Sequence, residues 1–123
     1  TLSSSSAASD VYKRQSLGEV EGAFCDGRFN VNLDGRKMVG TAQRWRQSKG
    51  GQRPVGLVHG ALLLDNERDS MVNAVNTFNQ ACGLEQRCRA ESHIALHEAF
   101  AAPDALVRLE SLYRQMLKGF LGD

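Results

Sequence analysis

One stretch decides most of the fold of this chain: Gly22-Ala-Phe-Cys-Asp-Gly-Arg-Phe-Asn-Val-Asn-Leu-Asp-Gly-Arg-Lys-Met-Val-Gly-Thr-Ala-Gln43. Residues 29–33 alternate apolar and polar side chains, which is typical of a half-buried strand. The Asp34-Gly35 pair predicts a type I′ hairpin turn, because both central residues of that turn need positive φ. The return strand is then expected from Arg36 to about Gln47.

Outward from this hairpin, the sequence predicts a third strand. Residues 48–53 form a flexible turn that Pro54 closes. The apolar run 55–65 predicts a strand covered on both faces. The three strands would form an antiparallel meander.

Helical spacing of apolar residues begins at Asp69, with Asp69 or Ser70 as N-cap and Gly83 as C-cap. A shorter helix is expected over 92–101, and a last helix begins at Pro103. The faces predicted to be buried are Met71, Ala74, Val75, Phe78 and Cys82 in the first helix, and Leu106, Leu109, Leu112, Tyr113, Met116 and Phe120 in the last. Strands followed by helices predict an α+β fold.

The first fifteen residues do not fit this pattern. They are Ser-rich and show neither helical nor strand periodicity. They resemble translated adapter sequence, so we expect residues 1–15 to be a non-native or disordered leader. The domain is then residues 16–123, which we expect to be the C-terminal part of a longer catalytic domain.

Composition limits the classes of function. A chain of 123 residues has room for one domain, and its net charge of +1 gives no general reason to expect nucleic acid or membrane partners. The charge is uneven, since residues 22–53 hold seven basic and two acidic side chains. That surplus predicts either a solvated face or a site for an anionic ligand or acidic partner.

Cysteine usage points to a reducing compartment. Cys25, Cys82 and Cys88 lack the spacing of metal ligands, and no signal peptide is recognised. We therefore expect free thiols and a cytoplasmic protein, with Cys82 and Cys88 as packing residues. His93 and His97 are four apart on the predicted helix, but without converging carboxylates or cysteines they predict no metal site.

Acyl chemistry has candidate parts in the opening stretch. Lys37, which begins a strand after a tight turn, is either a solvated charge at the edge of the sheet or a site residue that stabilises negative charge on an acyl carbonyl or a phosphate. The small residues Gly40-Thr41-Ala42 favour the site, because they let a ligand approach the strand beside it. Cys25 is either a small buried hydrophobe or a nucleophile, and the residues alone slightly favour the first. His59, between Gly56 and Gly60, is by default a core histidine.

Nucleic-acid binding is the unrelated alternative. Trp45, Phe24 and Phe29 with Arg44 and Arg46 would offer bases a stacking surface. The cluster is too small to prefer over ordinary sheet packing, so we expect no nucleic-acid partner.

Three segments in order resemble the biotin/lipoate protein ligase catalytic domain, of the lipoate–protein ligase A type. They are 22–31, 34–44 with its Gly-Arg-Lys-x-x-Gly-Thr-Ala pattern, and 58–65. The resemblance implies a fold like the class II aminoacyl-tRNA synthetase and biotin synthetase cores. It also implies attachment of lipoate or octanoate to a lysine of a carrier domain, in 2-oxoacid dehydrogenases or the glycine cleavage H protein.

The resemblance assigns roles to individual residues. Ligases of this family use ATP and Mg²⁺ to form an acyl-adenylate, whose carbonyl and phosphate the residue matching Lys37 contacts. Gly40, Thr41 and Ala42 match small residues of that pocket, and His59 matches a position in the following strand. Asn30 stands where an aspartate is common, and the upstream Arg-Arg…Gly-Gly motif that encloses the acyl tail is absent from this chain.

Other members of the family are octanoyltransferases that need no ATP. They form a thioester on a cysteine at the position of Cys25, and the resemblance therefore favours chemistry at this thiol. Our first expectation is a lipoate–protein ligase, with an octanoyltransferase that uses a Cys25 thioester as a close alternative. A third possibility, of a different class, is a non-catalytic module that binds carrier domains.

Overall fold

The computed structural model describes residues 14–65 and 67–122, so most of the leader predicted at 1–15 lies outside the described residues. The elements in chain order are β1 (Gln15–Leu17), β2 (Val31–Leu33), β3 (Arg36–Gln47), β4 (Pro54–Leu62), α1 (Arg68–Ala81), a 3₁₀ turn (Ala90–Ser92), α2 (Leu96–Ala99) and α3 (Ala105–Leu121). Four antiparallel strands in the order β1-β2-β3-β4 precede the helices. The predicted α+β class is confirmed. The likeness to class II synthetases stays a prediction.

The central hairpin forms as its sequence predicts. Asp34 and Gly35 have φ of +52° and +72°, the left-handed pair that a type I′ turn requires. β3 ends at Gln47 and pairs with β4 from Val39↔Leu62 to Gln47↔Pro54. The predicted meander of three strands is therefore correct, and β1, which sequence periodicity did not reveal, adds to it. β1 begins at Gln15, the last residue of the stretch assigned to the leader.

A β-bulge interrupts the pairing of β2 with β3. Asn32 pairs with Lys37 and Val31 pairs with Val39, which leaves Met38 as the extra residue on β3. A bulge reverses the alternation of side chains beyond it. Consecutive residues Lys37 and Met38 are accordingly both buried. Met38 packs with Leu33 and Ile94 in the core.

The strand predicted to be covered on both faces is exposed. β4 ends at Leu62 rather than at Asp65, and every residue from Pro54 to Ala61 is exposed. The prediction from apolar composition was wrong because, among the described residues of β4, only Leu62 packs against the core, and the strand before it is exposed. Long exposed apolar strands are uncommon on the surface of folded monomeric proteins.

The first helix begins earlier than predicted and turns a different face inward. Its N-cap is Glu67, not Asp69 or Ser70, and no side chain of the described residues caps it. Val72 is its buried residue, whereas Met71 and Phe78 of the predicted face are exposed. The reason is that the side-chain amides of Asn76 and Asn79 donate hydrogen bonds to backbone carbonyls of the loop after the helix, which turns this face of the helix toward that loop. Gly83, predicted as the C-cap, has φ +71° and follows the C-cap Cys82.

Two other helical predictions need correction. The segment predicted as one helix over 92–101 is the 3₁₀ turn followed by the single turn α2, with extended backbone at His93 between them. The last helix begins at Ala105 instead of Pro103, and none of its residues is buried. Its predicted core face, which includes Met116 and Phe120, is exposed because α3 mainly contacts the short α2. Cys88 is buried as expected, but Cys82 is exposed.

Candidate functional site

A cavity of about 420 Å³ lies between the start of β3, the facing part of β4 and the loop that carries Cys25. All six site residues predicted from the sequence line it: Cys25, Lys37, Gly40, Thr41, Ala42 and His59. Phe24, Met38, Ala61, Leu62, Leu63, Met71 and His93 complete the lining. The cavity is thus mostly apolar, with a few polar groups converging in it, as small-molecule sites are.

The sheet register explains why residues distant in sequence share this cavity. Gly40 pairs with Ala61, and Ala42 pairs with His59. Directly opposed residues in an antiparallel sheet lie on the same face, and so do residues two apart along one strand. The bulge at Met38 places Lys37 on that face as well.

Lys37 is the buried cation of the cavity, with 5% of its surface exposed. Its Nζ donates hydrogen bonds of 2.8 Å to the carbonyl oxygens of Phe24 and Cys25. An ammonium has three donors, so one is left for a ligand. Burial lowers the pKa of Lys37, and the charges of Cys25, Asp26 and Cys88 oppose that shift.

Gly40 makes room for the Lys37 side chain. A Cβ added at Gly40 would lie 3.2 Å from Lys37 Cε and 3.3 Å from Nζ, closer than most real contacts of this kind. The sequence predicted that bare backbone here lets a ligand approach the strand. The structure gives this space to the ammonium itself. Thr41 has a further structural role, because its hydroxyl donates to the Phe29 carbonyl at 2.7 Å.

Cys25 is exposed and has φ +48°, in the left-handed region that side chains other than glycine rarely adopt. The loop around it is organised by Asp26, whose carboxylate accepts hydrogen bonds from the backbone N–H groups of Val20 and Gly27 and from the Asn30 amide. Backbone held in such a conformation costs about 1–3 kcal/mol and occurs in turns, as at Asp34, and at functional sites.

His59 is exposed on β4 rather than buried in a core. It lies opposite Ala42 at the side of the cavity. The default interpretation of a core histidine with a satisfied ring is therefore wrong.

His93 is the cavity residue that the sequence analysis missed as a site residue. It is fully buried, its Nε2 accepts a hydrogen bond of 3.1 Å from the Phe24 N–H, and its ring stacks on that of Phe24 with centroids 4.2 Å apart. Its spacing of four residues pairs it in sequence with His97, whose Nε2 instead lies 4.0 Å from Asp65 Oδ1. The signal of its burial in the sequence is its place directly before the apolar run 94–96.

Charged residues form a small ion-pair network next to His93, outside the cavity. Arg68 and Arg36 both form ion pairs with Glu98, at 2.6 Å and 3.1 Å. The hydrogen bonds from Arg68 are the main cause of the lowered pKa of Glu98.

Among the described residues, no group of three His, Cys, Asp or Glu side chains is arranged to hold a metal ion. No helix in the described ranges has the length and apolarity to cross a membrane.

Comparison with known proteins agrees in part with the resemblance. No protein-family model matches the chain. The chain is 34% identical over 88 residues to the octanoyl-[GcvH]:protein N-octanoyltransferase of Kyrpidia tusciae, across 68% of this chain and 31% of that protein. It is also 34% identical over 104 residues to an uncharacterized protein of Cupriavidus necator, across 72% of this chain and 41% of that protein.

The chain spans less than half the length of either curated relative that it matches. The similarity to an octanoyltransferase supports the resemblance to the lipoate–protein ligase type of family.

Proposed function

We propose that this chain carries the thiol and the ammonium of a protein acyl-transfer site that moves an octanoyl group to a lysine of a carrier domain. The observation that carries the proposal is that the Lys37 ammonium lines an apolar cavity and donates hydrogen bonds to the carbonyls of Phe24 and Cys25. The relative that acts as an octanoyltransferase supports transfer over ligation.

The proposed reaction has two balanced steps. The Cys25 thiol gives up its proton as its sulfur attacks the acyl carbonyl of the donor, the bond from that carbonyl to the donor nitrogen breaks, and the donor amine leaves with that proton. An octanoyl thioester on Cys25 results. The lysine amine of the acceptor then attacks this thioester, an amide forms as the carbon–sulfur bond breaks, and the proton that the amine loses returns to the Cys25 sulfur.

Lys37 would stabilise both tetrahedral intermediates. Its remaining N–H donates to the oxygen on which negative charge develops, in a cavity where the low polarity strengthens that interaction. The apolar side chains of Met38, Leu62 and Met71 would contact the acyl chain. The donor, by analogy with the relative's name, is octanoylated glycine cleavage H protein. The acceptors that the family resemblance implies are other lipoyl carrier domains.

The ligase alternative requires ATP and Mg²⁺. Among the described residues, the lining of the cavity includes no aspartate or glutamate, whose carboxylate oxygens Mg²⁺ prefers. The residues of this cavity do not fit a magnesium–ATP site, and we derive no adenylation step from them. Use of ATP stays a prediction for the full-length protein.

The test compares two acyl sources with the full-length protein and an apo carrier domain. We expect modification from octanoylated H protein without ATP, and a thioester on Cys25 that mass spectrometry detects after acid quenching. Cys25→Ala abolishes both signals, while Cys82→Ala, at the other exposed cysteine, changes neither. Modification that depends on octanoate and ATP and survives Cys25→Ala would establish the ligase instead. Carrier binding without transfer from any donor would indicate a binding module.

A further inference from the structure

His93 is fixed in place by its main chain as well as its side chain. Ile94 N–H donates to the Lys37 carbonyl at 2.9 Å, which ties the segment after the 3₁₀ turn to β3. The His93 carbonyl accepts hydrogen bonds from Arg68 and Arg36, at 3.1 Å and 3.4 Å. These hydrogen bonds hold the backbone at His93, and so its imidazole, in a fixed position beside the cavity.

The two backbone groups of Phe24 are held by two different cavity side chains. The N–H donates a hydrogen bond to His93 Nε2, and the carbonyl accepts one from Lys37 Nζ. Cys25 follows immediately, in its left-handed conformation, and its own carbonyl also bonds to Nζ. The imidazole and the ammonium thus hold the thiol loop through the two peptide units on either side of the Phe24 Cα.

We propose that His93 is the positioning residue of Cys25: as a neutral imidazole it accepts the Phe24 N–H and so keeps the thiol loop against the Lys37 ammonium. The importance of the thiol rests on the proposed function. The positioning itself rests only on the contacts described above.

This role depends on protonation. Nε2 accepts a hydrogen bond only when it carries no proton, so in the neutral ring the proton is on Nδ1. Nδ1 has no hydrogen-bond partner of standard geometry in the part of the chain that the structure describes. A protonated imidazole would present a donor to the Phe24 N–H, and the bond that holds the loop would be lost.

The surroundings of His93 keep it neutral. Burial is the largest cause of its lowered pKa, and the charges of Lys37 on β3 and Arg68 on α1 add to the shift. The backbone groups of Arg89 and Ala90 oppose it. Since the pKa is lower in the folded than in the unfolded chain, the contribution of neutral His93 to stability is complete above about pH 6.5 and is lost as pH falls toward the folded value.

The test measures alkylation of Cys25 by iodoacetamide in the full chain between about pH 5 and pH 8. Peptide mass spectrometry gives the ratio of Cys25 to Cys82 labelling, so that exposed Cys82 controls for the general chemistry of thiols. Two variants separate the effects. His93→Phe keeps a ring against Phe24 but has no acceptor, while the amide oxygen of His93→Gln accepts at every pH in this range.

For the natural residue we expect the ratio to change about fivefold on acidification, as for the loss of one hydrogen bond. His93→Phe shows the acid value at all pH values, and His93→Gln keeps the neutral value without a pH step. A ratio in folded His93→Phe equal to that of the natural protein at pH 8 would overturn the proposal. A pH step that persists in His93→Gln would do the same, and this variant decides the matter if His93→Phe does not fold.

The labelling result is independent of acyl transfer. If the full-length protein transfers no acyl group but the ratio behaves as expected, the proposed function fails and the positioning role stands. If transfer occurs and the ratio ignores both substitutions, the positioning role fails alone.

Discussion

Replacing Lys37 by methionine removes the ammonium while keeping an unbranched side chain of similar length. The change leaves the carbonyls of Phe24 and Cys25 without the donor that now lies 2.8 Å from each. A hydrogen bond to a charged group contributes about 1.5–3 kcal/mol, so two such bonds set an upper limit of about 3–6 kcal/mol.

Two effects reduce that limit. Burial of the ammonium is unfavourable, as its lowered pKa indicates, and methionine has no such penalty. Cys25 is also exposed, so water can reach its carbonyl once the lysine is gone. We therefore expect Lys37→Met to lower the free energy of unfolding by about 1–2 kcal/mol. The urea midpoint should fall by about 0.5–1 M.

The assay is urea unfolding followed by far-ultraviolet circular dichroism, combined with backbone hydrogen exchange of peptides covering residues 22–30. Exchange there should accelerate in Lys37→Met, because the loop loses the two hydrogen bonds from the ammonium to the Phe24 and Cys25 carbonyls. Lys49→Met, in the exposed turn between β3 and β4, is the matched control and should stay within about 0.5 kcal/mol of the natural protein. An unchanged midpoint together with unchanged exchange in Lys37→Met would refute the argument that the ammonium orders this loop.

Two further substitutions test the packing around the site. Gly40→Ala places a methyl group 3.2 Å from Lys37 Cε, so it should lower the rate of octanoyl transfer by about tenfold. Gly60→Ala is the control, because its methyl group makes an equally tight contact away from Lys37, and it should leave the rate within about threefold. Equal rates in the two variants would contradict this role of Gly40. Asn76→Ala removes an amide that both donates to and accepts from the Cys88 backbone, at 2.9 and 2.7 Å, and should lower the free energy of unfolding by about 1–3 kcal/mol in urea unfolding. A loss below about 0.5 kcal/mol would mean that water replaces the amide at no cost.

Local sequence determined the central hairpin and the chemical parts of the site. The turn at Asp34-Gly35 follows from the few residues that adopt positive φ, and this constraint acts within two residues. The residue types around Lys37 and Cys25 supplied candidate parts for acyl chemistry, since a thiol, an ammonium and small residues can be read directly from the chain, and the family resemblance then favoured chemistry at Cys25.

Helix limits and burial depended on packing that sequence periodicity does not contain. The exposed apolar faces of β4 and α3 have the composition of buried elements, yet no described element covers them. The inward face of α1 is set by asparagine contacts with a later loop, which a hydrophobic pattern does not detect.

The tertiary structure alone decided how the parts of the site meet. The bulge at Met38 changes the alternation of β3, so that Lys37 comes to the same face as Gly40 and Ala42, although regular pairing would separate them. His93 reaches Phe24 across 69 residues of sequence, because the backbone at His93 forms a parallel bridge with Lys37 on β3. The sequence by itself supplied the reactive groups of this protein, while contacts between segments distant in sequence supplied their geometry.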